Sequence, residues 1–122
     1  MKKDINYYIS KGLDKKTAEY YVSGRKKIIS VIPTKDFSLI ITFDNQEKRL
    51  LDCKPFILDG TVFAFLKSFD NFKRAYVDNT HCIAWDKDPN IDSEKVWHNK
   101  VDISSDSCYL DSIALEDSRH VG

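Results

Sequence analysis

A chain of 122 residues with 42% hydrophobic and 31% charged side chains has the size and composition of one soluble globular domain. No apolar run approaches the ~20 residues of a membrane-spanning helix, and the basic N-terminus lacks the apolar centre of a signal peptide. Nineteen Lys/Arg balance nineteen Asp/Glu, which argues against a general nucleic-acid binder.

In chain order, Ile5, Tyr8 and Ile9 suggest a short helical turn, broken at Gly12. Asp14 stands as an N-cap before Lys15–Ser23, a stretch without Gly or Pro, and Gly24 stops it. Arg25, Lys26 and Lys27 fall near the negative end of that helix dipole. Leu13, Ala18, Tyr21 and Val22 are expected to form its docking face. A strand follows over Lys27–Ile32, closed by Pro33 and a Thr34-Lys35-Asp36 turn. Ser38 to Phe43 alternates with a period of two, placing Phe37, Leu39, Ile41 and Phe43 on one face. Asp44-Asn45-Gln46 supplies turn chemistry, and Glu47–Cys53 forms the returning strand, ended by Lys54-Pro55.

Val62–Ser68 shows helical spacing through Val62, Phe63, Leu66 and Phe69, with Phe69 and Phe72 closing the same core. Arg74–Asp78 and His81–Trp85 predict a second hairpin around Asp78-Asn79-Thr80. Residues 86–100 are a long polar loop containing Ile91 and the pair Val96-Trp97; a loop of this length is functional or an insertion with its own packing. Val101–Leu110 has modest apolar content, and 113–122 reads as a tail. The fold class is therefore α+β: a small antiparallel β-sheet with one short packed helix, preceded by an N-terminal helix. One domain, 1–122, is expected, with a helical segment 1–26 and a sheet region 27–112.

Charge is distributed unevenly. Residues 1–27 hold eight Lys/Arg against three Asp/Glu, residues 28–85 hold seven against seven, and residues 86–122 hold four against nine. The ends are thus +5 and −5, able to meet an outside partner, a second copy or each other. The basic end includes Lys15, Lys16, Arg25 and Lys26 among tyrosines, residue types that contact phosphates and stack on bases. Trp85, Trp97 and Tyr109, interleaved with Asp86, Asp92 and Asp102, are candidates to line a groove for a basic peptide or small ligand. The simpler expectation is that both tryptophans bury against the sheet and hold the loop down.

Cys53, Cys82 and Cys108 are odd in number and lack C-x-x-C spacing, so they read as reduced, packed thiols in a cytoplasmic protein, without a metal site or cofactor. Asp86 to Glu94 alternates oxygen-bearing side chains as a calcium loop does, but Ile91 and Trp97 occupy the positions that need Gly and Glu. His81 and Cys82 are neighbours on an expected strand and so face opposite sides. His98 with Asp102 or Asp106 has no supporting signature. No phosphate loop, dinucleotide fingerprint or zinc-protease motif occurs, and no enzymatic activity is expected.

The order of Ile28-Ile29-Ser30-Val31, Phe43-Asp44, Arg49-Leu50-Leu51-Asp52, Phe63 to Leu66, Phe69 to Phe72 and Ile83-Ala84-Trp85 resembles the bacterial domain-of-unknown-function 2442 family. The resemblance covers roughly residues 26–110. It implies a small antiparallel α+β fold and no established enzymatic activity. It also implies two settings: relatives that precede a helix-turn-helix domain, and products of small operons of the toxin–antitoxin kind. This chain shows no helix-turn-helix after Leu110, so DNA binding of the fused form does not carry over. Residues 86–112 look like the longer variant, anchored by Trp97, Asp102 and Tyr109, with the N-terminal helix outside the common pattern. The expectation is an interaction or regulatory module with a protein partner or a second copy; the alternative is a nucleic-acid-associated regulator using the basic N-terminal segment.

Overall fold

The structure, a computed structural model, describes residues 3–115. Two short helices come first, α1 (Ile5–Ser10) and α2 (Lys15–Ser23). The strands are β1 (Ile28–Pro33), β2 (Ser38–Phe43), β3 (Lys48–Asp52), β4 (Tyr76–Val77), β5 (Ile83–Asp86), β6 (Lys100–Ile103) and β7 (Ile113–Ala114). A one-turn helix α3 (Phe69–Phe72) precedes β4, and α4 (Ser105–Asp111) precedes β7. The strands divide into two antiparallel sheets, in the orders β1-β2-β3-β7 and β4-β5-β6.

Local sequence explains much of this. Asp4 and Asp14 each accept a backbone N–H three residues on, from Tyr7 at 3.0 Å and Thr17 at 2.8 Å, satisfying donors that a helix start leaves open. Gly24 ends α2 at φ 99°, a left-handed geometry that favours glycine. The Asp44–Gln46 turn joins β2 to β3 as expected, and the register sets Ile40 opposite Leu50.

The inner residues of β2, Leu39, Ile41 and Phe43, are completely buried and join Ile28, Leu66, Phe72, Ile83, Trp85 and Cys108 in one core. Phe37 enters its edge, its ring 5.2 Å from Phe72 and 5.9 Å from Phe69. Trp85 is the largest fully buried side chain. Its indole N–H donates to the Phe72 carbonyl at 2.9 Å, so burial leaves no polar atom unpaired.

Four expectations are corrected. Tyr20, not Tyr21 or Val22, is the buried tyrosine of α2 beside Ala18. Its hydroxyl donates to Asp106 at 2.6 Å and accepts the Lys26 N–H at 3.0 Å, partners that allow a phenol to go inside. The helix expected over Val62–Ser68 is a 3-10 turn at Ala64–Lys67, broken by extended backbone at Ser68 before α3; Val62 is exposed, and Leu66 and Phe72 carry the burial. Val101–Leu110 supplies both β6 and α4, the latter capped by Ser104, which accepts the Ser107 N–H at 3.1 Å. Within the expected tail, Ile113–Ala114 forms β7 on β3; residues 116–122 of that tail lie outside the described residues.

Trp85→Ala should therefore destabilise the protein by roughly 3–5 kcal/mol, from lost burial plus the cavity left behind. The check is the shift of the urea unfolding midpoint at constant slope.

Candidate functional site

The long loop is built around one amide. Asn99 is only 4% exposed. Its side-chain NH2 donates to the carbonyls of Asp88 (3.0 Å) and Ile91 (3.2 Å) and to Ser93 Oγ (3.0 Å), while its oxygen accepts the Asp88 N–H at 3.0 Å. The Asn99 carbonyl takes the Lys87 N–H at 2.7 Å. Asp88 and Asp92 close small turns of their own, each accepting the N–H two residues on at 2.9 Å. The oxygen-rich stretch that resembled a calcium loop is thus occupied by local turns. Among the described residues, no three His, Cys, Asp or Glu side chains gather as a metal set.

This loop forms one wall of a groove of about 740 Å³, with β4, the Asp78 turn and the ends of β5 and β6 as the other. Register places Asp86 opposite Lys100 across β5 and β6. Asp86 Oδ1 accepts the Tyr76 hydroxyl at 2.7 Å and the Ser93 hydroxyl at 2.6 Å, tying the sheet to the loop. Burial, then the bond to Asp86, pushes the Tyr76 hydroxyl pKa above its usual value. The Asp78 carboxyl is 4% exposed and accepts from the Thr80 N–H, the Thr80 hydroxyl, the Cys82 N–H and Lys100 Nζ. Burial alone would raise its pKa, but these donors hold it down at about 2.

Four acidic residues, Asp78, Asp86, Asp92 and Glu94, line the groove with one lysine, Lys100, which pairs with Asp78. At the rim stands Trp97, 82% exposed on the 3-10 turn Trp97–Asn99. The arrangement offers negative potential beside an open indole face, a combination that attracts an ammonium or guanidinium group.

Of the sequence-predicted groove residues, Asp86, Asp92 and Trp97 come together. Trp85 does not, because adjacent strand residues face opposite ways: Trp85 points to the core and Asp86 to the groove. The expectation that both tryptophans bury is corrected for Trp97. Tyr109 lies on α4 against the first sheet, its ring 5.1 Å from Phe43 and 4.3 Å from the Arg49 guanidinium, its hydroxyl donating to Glu47 at 2.7 Å. Asp102, opposite Ala84, borders a separate cleft with Asp52, Phe56 and Phe63. Sequence reasoning missed Asn99, Tyr76 and Asp78. Asp78 alone carried a local signal, the Asp-Asn-Thr turn.

At the basic end, Arg25 pairs with Asp106 at 2.7 Å. Lys16 Nζ donates to the Leu110 carbonyl, and Lys26 Nζ sits 5.4 Å over Tyr20 and 5.6 Å over Tyr109. Lys15 is exposed on the first turn of α2. Three of the four basic candidates thus fold back onto their own chain. Burial opposes ionisation of Asp106, but its bonds from Arg25 and Tyr20 prevail and hold its pKa below the usual carboxylate range.

His81 lies outside β5 at φ 64°, Nδ1 3.2 Å from the Ile28 carbonyl oxygen, so strand alternation does not govern its relation to Cys82. His98 packs edge-on to Trp97, and Asp106 is bonded to Tyr20 and Arg25. Cys53 and Cys108 are buried, and burial pushes the Cys53 thiol up to about 12 and raises that of Cys108 as well.

Asn99→Ala should cost roughly 2 kcal/mol, since it strips partners from buried loop carbonyls, and should speed amide exchange at Asp88 while leaving β2 protected. Because the Asp78 carboxyl ionises more readily folded than at its ordinary 3.8, its stabilisation is present above that pH and lost as pH falls toward 2. Asp78→Asn should lower stability at neutral pH and flatten this acid limb, as read from unfolding midpoints across pH.

The sequence pattern of DUF2442, described as a protein of unknown function, matches residues 28–103. No curated protein and no solved structure matches the chain. The matched span runs from β1 to β6 and covers more than half of the sequence. The chain belongs to the DUF2442 family of proteins of unknown function.

Proposed function

We propose that the chain is a non-enzymatic interaction module that receives a basic segment of a partner protein in the groove beneath Trp97. The observation that carries this is an indole left 82% exposed at a groove lined by Asp78, Asp86, Asp92 and Glu94. Tryptophan is a leading anchor residue of protein interfaces, and covering its ring would recover on the order of 2–3 kcal/mol. Asn99 already holds the loop in shape, so little ordering cost opposes docking. A neighbouring product of the same small bacterial operon is the partner that the family resemblance suggests. A cytoplasmic setting goes with this, supported by three unpaired cysteines.

The alternative, a nucleic-acid-associated regulator, has less to draw on, because Lys16, Arg25 and Lys26 are engaged on the α4 side.

The two separate in a fluorescence titration, since Trp85 is buried and Trp97 reports the surface. An arginine- and lysine-rich peptide should change the emission and bind more weakly as salt rises. Trp97→Ala should weaken that binding about tenfold or more while leaving stability within ~0.5 kcal/mol. Equal binding by the variant would reject the groove, and tighter binding of duplex DNA than of peptide would favour the alternative.

A further inference from the structure

The four-stranded sheet has two faces, and the core uses one. Ile40 points away from Leu39 and Ile41, and the register carries it onto Ile32 on one side and Leu50 on the other; Leu50 in turn lies opposite Ile113. A row of aliphatic residues therefore crosses every strand of this sheet on its outer face. Its ends are open, Ile32 at 59% and Ile113 at 64% exposure, while Ile40 and Leu50 are half-buried by their neighbours. The flanking rows are polar: Ser30, Thr42 and Lys48 on one side, and on the other Asp52, exposed, beside Ser38, which is buried. Single exposed aliphatics are ordinary, but a contiguous apolar strip rimmed by polar residues marks an interaction surface. An antiparallel sheet with a free face normally presents polar side chains there.

We propose that this face packs against the same face of a second copy, giving a two-fold dimer of sheets. The charge pattern selects the occupant. Along β3 the outward residues are Lys48, Leu50 and Asp52. A two-fold axis lying along the aliphatic row sets Leu50 over Leu50 of the other copy, reverses the strand direction, and brings Lys48 over the other copy's Asp52, twice. Face-to-face sheets pack about 10 Å apart with their strands within about 30° of alignment, a spacing these side chains fill. Asp52 already pairs with Lys54 at 2.9 Å, but both are more than half exposed, and such surface pairs exchange at little cost. The seven residues after Leu115 include one aliphatic side chain, Val121, a poor match for the whole row. The surface belongs to the first sheet and is independent of the Trp97 groove, which opens on the second.

Sedimentation velocity of the full chain over a concentration series tests this. The wild-type protein should be a reversible dimer. Ile113→Lys, at an exposed position, should be monomeric, with an unfolding midpoint equal to that of wild type measured at concentrations too dilute for the dimer; Ile40→Lys should also be monomeric. Lys48→Glu should weaken association roughly tenfold, and adding Asp52→Lys should restore it, because the swap rebuilds the pairing only if both sides are this chain. A wild-type protein that stays monomeric throughout would overturn the proposal. So would a dimer indifferent to Ile113→Lys, or one not restored by the charge swap.

Discussion

Most of the molecule turns on the indole of Trp85. Its N–H reaches the Phe72 carbonyl at 2.9 Å, and its ring lies 6.0 Å from that of Phe72, so α3 and β5 are locked by the same residue. Register brings Val101 of β6 opposite it. Because strand residues alternate, fixing Trp85 inward fixes Asp86 outward, where it gathers Tyr76 and Ser93. One strand thus sets the interior and the groove together.

Among the described residues, the basic and acidic segments of the sequence meet through one ion pair, Arg25 with Asp106. The family match spans residues 28–103, leaving α1 and α2 before it and α4 and β7 after it. These flanking pieces meet: Asp106 takes Tyr20 and Arg25, the Leu110 carbonyl takes Lys16, and Tyr109 stacks against Tyr20. Helices α2 and α4 thus pack together, and α4 contributes Cys108 to the core.

What was legible in the sequence was local. Asp14 and Gly24 mark both ends of α2, and alternation in Ser38–Phe43 marks β2, since caps, turns and period-two patterns act between near neighbours. The less legible parts depend on distant partners. Four residues of β6 and seven of α4 carry too little periodicity to stand out. Two-residue β7 exists only because β3 offers an edge. Asn99 is a polar residue in a polar stretch, and its role appears only when the loop folds around it. Trp85 and Trp97 look alike as letters; alternation in β5 buries the first, and nothing nearby calls the second inside.

The enclosed amide of Asn99 separates shape from identity in the long loop. The bonds that hold residues 88–93 involve the backbone, Asn99 itself, and Ser93 and the two aspartates that close small turns. The side chains of Lys87, Asn90 and Lys95 lie exposed outside that set. Mutation can rewrite those outer positions without disturbing the loop's course, so a lineage could retune what its rim prefers while inheriting the same mould.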